Sequence, residues 1–196
     1  MAESGNCLKI FLFIWLIASP AFADPNARLI RFYHRHYPKI QSEYLEEVSE
    51  STKKWARRVC LETELDTLLS IAHRESNFDM TATGNEYESS SGIFQVQEQY
   101  NDRLREFWFL NGYFLGRDDD VDTQCAFGVA TFYIKLRNAH GSIYKAVRSY
   151  NGAGRAARQY AQNVFTSRKV IFKRAYVKGE KFLPVCKKIK ANKFIL

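Results

Sequence analysis

From Leu65 the apolar positions Leu65, Leu68, Leu69 and Ala72 fall at i, i+3, i+4 and i+7, the spacing that a helix gathers into one core-facing stripe. The same spacing returns in Ala126, Val129, Ala130 and Tyr133, predicting a helix over Cys125–Arg137. It returns again in Ile143, Ala146, Val147 and Tyr150, where Ser142 is placed to cap the start and Gly152 to close the end. A fourth stripe through Ala157, Ala161, Val164, Ile171 and Ala175 predicts a long C-terminal helix. Upstream, the scattered positions Leu29, Phe32, Tyr44, Leu45 and Val48 fit one or two short helices split at Pro38. Thr81–Gln99 is rich in Ser, Gly and Thr and holds the alternating stretch Ile93-Phe94-Gln95-Val96, which reads as loop with a small strand. Asn101–Gly116 carries Phe107, Trp108, Phe109, Tyr113 and Phe114. These read first as a buried hydrophobic cluster and second as an exposed aromatic stacking surface. No internal repeat and no Gly-, Ser- or Pro-rich linker interrupts the chain, so the pattern predicts a mainly α fold with at most a small β element.

Composition narrows the class. The chain has 196 residues, 46% hydrophobic and 26% charged, a balance that excludes low-complexity, collagen and coiled-coil readings. No apolar run reaches the roughly 18 residues of a membrane helix, which excludes a polytopic membrane protein. Ile10–Ala18 is nevertheless continuously apolar, follows Lys9, and leads through Ser19-Pro20 to Ala21-Phe22-Ala23, the small-x-small pattern of a cleavage site. Residues 1–23 are therefore expected to be a signal peptide cut before Asp24, giving a periplasmic or secreted protein with no integral membrane segment after cleavage. The alternative is an uncleaved anchor, for which this run would span only about half of a bilayer core. Of the cysteines left after cleavage, Cys60, Cys125 and Cys186, two are expected to pair in an oxidising compartment. Three pairings are open, and Cys60 with Cys125 is favoured, since both are read as preceding helices of one core.

Charge is unevenly placed. The net charge is +8, but 12 basic against 19 acidic residues give −7 from Asp24 to Ala126, and 16 basic against one acidic give +15 from Phe127 to Leu196. The basic third includes Arg168, Lys169, Lys173, Arg174, Lys187, Lys188, Lys190 and Lys193. It suits an anionic partner outside the cell, such as a carboxylate-bearing polymer or anionic lipid, or it neutralises the acidic part of the same molecule. A nucleic-acid partner is not expected: the chain reads as exported, and Tyr160, Phe165 and Phe172 track a helix stripe rather than a stacking surface. Asp118-Asp119-Asp120 with Asp122 does not make a calcium loop, because Thr123 and Val129 stand where Gly and Glu are needed. These acids instead suit the positive end of the next helix, with Asp122 near its cap. His34 and His36, among Tyr and Arg neighbours, read as a solvated patch rather than a metal site.

The candidate chemistry lies where the first stripe ends. At 100° per residue Glu75 falls on the edge of that stripe, one turn beyond Ile71, where partial desolvation would disfavour its charged form and suit it to general acid work. Periodicity alone does not separate this from a helix-end glutamate facing water or paired with Arg74 or His73.

Four segments in order resemble the lytic transglycosylase (SLT) family. LLSIAHRESNF, Leu68–Phe78, resembles the segment around that family's catalytic glutamate. SSGIFQV, Ser90–Val96, is similar to its Gly-Leu-Met-Gln motif, and SYNGAG, Ser149–Gly154, to its Ala-Tyr-Asn-Ala-Gly motif. Gly128 stands where the family keeps a glycine at a helix crossing. The resemblance covers roughly Trp55–Tyr176 and implies a goose-lysozyme-like single domain. The organisation expected from it is a signal peptide at 1–23, a helical extension at 24–54, the catalytic domain at 55–178 and a basic tail at 179–196.

It further implies a peptidoglycan lytic transglycosylase, acting on glycan strands with neither cofactor nor metal. Glu75 would protonate the oxygen between N-acetylmuramic acid and N-acetylglucosamine. As a base it would then take the 6-hydroxyl proton, closing a 1,6-anhydro ring. Ser76, Gly92, Gln95, Tyr150 and Asn151 would bind substrate, with Tyr150 placing its phenol near Glu75. Each has an unassuming alternative: Ser76 as a helix-end bond, Gln95 as strand surface, Tyr150 as core, Asn151 as a turn residue. The sequence departs from the family in Asp79-Met80-Thr81, where Pro and Ala are usual, and in Phe94, where Met is usual. Phe94 should still fill an apolar wall. Glu86 and Glu88 in the loop Thr83–Ser90 leave open a goose-lysozyme-like hydrolase that uses water, and a non-catalytic glycan-binding module is a further alternative. Small exported enzymes of this type resemble those that open the wall for secretion or conjugation machinery, and no residue identifies such a machine.

Overall fold

The computed structural model describes residues 24–84 and 89–182. The expected signal peptide, Glu86 and Glu88, Cys186 and the lysines from Lys187 onward lie outside the described residues. Seven helices are described: α1 (Pro25–His36), α2 (Ser42–Arg58), α3 (Leu65–Ser76), α4 (Asn101–Leu110), α5 (Val121–Asn138), α6 (Ile143–Tyr150) and α7 (Gly154–Phe172). Between α3 and α4 lie two short antiparallel strands, β1 (Ser90–Ser91) and β2 (Val96–Gln97), with Ser90 opposite Gln97 and Ser91 opposite Val96. The architecture is mainly helical with a small sheet, as the apolar periodicity predicts. No described helix is long and apolar enough to cross a membrane.

α5 is the centre. It buries Val121, Cys125, Ala126, Val129, Ala130, Phe132, Tyr133, Ile134 and Leu136, so it is apolar nearly all round, as a helix enclosed by others must be. α2 packs along one side of it and α6 along another, while α3 lies against α7. Leu68, Leu69 and Ala72 are fully buried on α3, each large side chain contributing roughly 1.5–3 kcal/mol.

Local rules place most boundaries. Asp24 caps α1 by accepting from Asn26 N, with Pro25 in the first turn, where a missing N–H costs nothing. Ser142 caps α6 through Lys145 N. α5 begins four residues earlier than the stripe indicates, and its cap is Asp120, which accepts from Thr123 N at 2.6 Å. Asp122 lies near that cap, in the first turn, and its carboxylate faces α2, pairing with Lys54 at 2.7 Å and accepting from Trp55 Nε1 at 3.1 Å. α7 stops at Phe172 because Lys173 is left-handed (φ 59°), so Ala175 falls beyond it. The chain then returns to the α5–α6 turn, where Phe182 N donates to Gly141 O. In the aromatic stretch Phe107 and Trp108 are buried, Trp108 Nε1 donating to Ala126 O. Phe109 and Phe114 instead pack edge-on in solvent.

One expectation is corrected and one open alternative is decided. Cys60 does not pair with Cys125, which is a free, fully buried thiol. Cys125 lies inside α5 rather than before it and contacts Val48 O and Thr52 Oγ1 on α2. Thr52 lies six residues, about 9 Å of helix rise, before the end of α2 at Arg58, and Cys60 stands beyond that end. Burial pushes the Cys125 thiol up to about 12. Arg168 and Arg174 belong to no free basic surface. Arg168 is completely buried and donates to Thr67 Oγ1 (2.9 Å), Ala175 O (3.1 Å) and Glu180 Oε2 (2.9 Å). Arg174 bridges Glu64, Asp66 and Glu180 at 2.7–2.9 Å. Burial raises Glu64 and Asp66, and Arg174 works against it. In Glu180 burial is outweighed by the bonds from Arg168 and Arg174, which hold its carboxyl below the usual range.

Arg168→Met should therefore lower unfolding free energy by about 3 kcal/mol in urea titration, since Glu64 keeps its burial and loses a counter-charge. An unchanged midpoint would count against this network. Cys125 should react with an alkylating reagent only after denaturation. Recovery of a Cys60–Cys125 peptide under non-reducing conditions would contradict the packing of α5.

Candidate active site

α3 ends at Ser76, and its last turn carries His73, Arg74, Glu75 and Ser76. Glu75 is half-buried, at the edge of the buried stripe. Its Oε1 accepts a hydrogen bond from the phenol of Tyr160 on α7. Tyr150, the last residue of α6, donates to Phe94 O at 3.1 Å, and it too feels the Glu75 charge. Burial and then the neighbouring carboxylate push both phenols well above their ordinary range. Each therefore keeps its proton and remains a donor across the neutral range.

The loop opposite is held from below. Gly128 on α5 has the Phe94 ring lying on it, and a Cβ there would sit inside the ring. The glycine thus serves a loop crossing a helix, where the sequence reading expects two helices to cross. Phe94 is buried and forms an apolar wall. Gly92 is left-handed (φ 77°), and the space a Cβ would need is taken by the Gln124 amide. Gln124 accepts from Ile93 N at 3.0 Å and donates to Met80 O at 3.3 Å. Gln95, also at positive φ (46°), donates from Nε2 to Ala82 O and Gly92 O, so its amide closes the loop on itself. Ser76 donates to Ile93 O at 2.7 Å and ties the end of α3 to this loop. Asn151 is exposed, just after α6.

The structure thus ties Ser76 and Tyr150 to the Ile93–Phe94 backbone, with Glu75 next to Ser76 at the end of α3 and its charge felt by Tyr150. Gly92 and Gln95 shape the loop through internal contacts, and Asn151 stands at the rim. Two contributors escape the sequence reading. Tyr160 sits on the same stripe as Ala157, Ala161 and Val164, where a ring looks like core. Its one sign is a hydroxyl on a buried face, which needs a partner. Gln124 has no sign at all.

Behind Glu75 the chain makes a costly turn. Asn77 (φ 56°) and Phe78 (φ 67°) are consecutive left-handed residues, each roughly 1–3 kcal/mol above the usual backbone. Asn77 N closes the helix on His73 O, and Asp79 N bonds Ser76 O. His73 is held below its ordinary pKa by burial and then by Arg74, and so stays neutral. Asp79 is turned to its own loop, where bonds from Thr81 keep it ionised. Among the described residues no group of three or more His, Cys, Asp or Glu is placed to hold a metal ion.

A half-buried carboxylate gripped by a protonated phenol can donate and reclaim a proton at one point on a substrate. Residues 52–172 match the family described as Transglycosylase SLT domain. The chain belongs to that family, whose lysozyme-like fold its helices and two-strand sheet follow. Membership carries lytic-transglycosylase-type activity on peptidoglycan in general. No curated protein and no solved structure matches the chain.

Tyr160→Phe keeps the ring and removes one charge-assisted hydrogen bond. It should lower peptidoglycan-degrading turnover by about 10–100-fold while leaving the circular dichroism spectrum intact. Full activity in that variant would separate the phenol from the chemistry.

Proposed function

Starting from membership of the transglycosylase SLT family, we propose that the chain cleaves the β-1,4 bond between N-acetylmuramic acid and N-acetylglucosamine with formation of a 1,6-anhydro end. The observation that carries the proposal is the Glu75 carboxylate at the end of α3, held by the Tyr160 phenol beside a loop fixed on α5. Protonated Glu75 gives its proton to the glycosidic oxygen as the bond from the anomeric carbon breaks. The substrate's own N-acetyl group shares the positive charge left on that carbon. Glu75, now ionised, takes the proton of the 6-hydroxyl as that oxygen attacks the anomeric carbon, which restores the acid and closes the ring. The Tyr160 phenol orients the carboxylate in both steps and supports its charged form between them.

One carboxylate serves both steps, so no second acid is needed, in contrast to two-carboxylate glycosidases. Ser76 and Tyr150 hold the backbone of Ile93 and Phe94, giving the sugar a fixed wall to lie against. Gly92, Gln95 and Asn151 contribute the loop shape and the rim on which amide and hydroxyl groups of the glycan bind. The work site is the periplasm or cell exterior, in keeping with the apolar run Ile10–Ala18 and the Ala-Phe-Ala before Asp24.

Glu75→Gln should reduce cleavage of purified peptidoglycan by about 10²–10⁴-fold while retaining sedimentation with it. Mass spectrometry of the wild-type digest should show anhydro ends. Reducing ends instead would assign the hydrolytic reaction, and lysis by the glutamine variant would remove Glu75 from the mechanism.

A further inference from the structure

α1 and the first half of α2 precede the matched residues 52–172, yet they reach the turn that carries Glu75. Tyr33 on α1 is fully buried, and its hydroxyl meets two groups of that turn: it donates to Asn77 Oδ1 at 2.6 Å and is bonded to His73 Nδ1. His73 and Asn77 stand one helical turn apart and bracket Glu75, so a single phenol clamps both ends of the turn on which the carboxylate sits. Tyr44 on α2 donates to Phe78 O at 2.6 Å, holding the second left-handed residue. The ring of Tyr33 also packs edge-on against those of His73 and Phe78. Two tyrosines from two helices thus converge on two consecutive residues whose backbone is unfavourable without support.

We infer that the N-terminal extension is part of the catalytic apparatus, with Tyr33 and Tyr44 as positioning residues that hold the Asn77–Phe78 turn and thereby aim Glu75. Tyr33 is fully buried, and the contact assigned to each tyrosine is with the turn. The inference rests on the role proposed for Glu75. Its physical basis is that a carboxylate displaced by about an ångström from the reacting oxygen loses rate by orders of magnitude, while a fold held by many other contacts is left standing.

The test uses soluble glycan strands and the full chain. Tyr33→Phe and Tyr44→Phe should each lower kcat by about 10–100-fold. KM should stay close to wild type, and the urea midpoint should fall only by what the loss of a buried hydroxyl's bonds requires, with the fold retained. Asn77→Gly, placed in the Tyr33→Phe background, should raise kcat severalfold above the single variant, because glycine takes the left-handed conformation without the clamp. Unchanged kcat in both folded phenylalanine variants, a rise confined to KM, or no recovery with Asn77→Gly would each overturn the inference. If Glu75→Gln retains cleavage, the reading of Glu75 fails instead, and that outcome is read from a separate protein.

Discussion

The buried guanidinium of Arg168 sets the register on which the site depends. It donates to Thr67 near the start of α3, while Tyr160, eight residues earlier on α7, donates to Glu75, eight residues later on α3. The two helices run antiparallel, and equal spacings on each, about 12 Å of rise, bring both contacts into line at once. A slip of one residue along α7 would move the phenol off the carboxylate and the guanidinium off Glu64. Burying such charges is costly by itself, so the network adds little net stability. Its effect is to penalise every register that leaves a charge unpaired.

That arrangement also changes the meaning of the basic C-terminal third. Arg168 and Arg174 are spent inside the molecule, closing Glu64, Asp66 and Glu180 around the start of α3. Within the described residues, part of the charge asymmetry is thus intramolecular. α3 is held at its acidic N-terminus by α7 and at its C-terminus by Tyr33, Tyr44 and Ser76, so its last turn is fixed from three directions. The loop facing it is equally confined, by the Phe94 ring on Gly128 and the Gln124 amide beneath Gly92. The role proposed for Glu75 draws on such confinement, because it sets the geometry before substrate arrives.

Legibility follows the range of the interaction. α3, α6 and most of α5 and α7 are readable because each buries one face, and a buried face imposes the helical period on consecutive residues. Ser142 is readable as a cap because capping is local. The cap of α5 is legible only to its neighbourhood, Asp122 lying in the first turn and Asp120 making the cap, because several acids stand in a row and only the approach of Lys54 and Trp55 decides which faces α2. The end of α7 is overrun because a left-handed lysine leaves no mark on an apolar stripe.

By itself the sequence determined the helical class, the placing of Glu75 at the end of its helix, and the motifs that carry the family, since all of these reside in contiguous residues. Tertiary structure alone decided that Tyr160 grips the carboxylate, that Arg168 is internal, that Cys125 stays a thiol and that α1 supports the Asn77–Phe78 turn. The Tyr160 and Arg168 contacts join residues 85 and 101 positions apart, and the Tyr33 contact to Asn77 joins residues 44 apart. Such pairs depend on the register and crossing of packed helices, a property of how surfaces interlock that no local periodicity encodes.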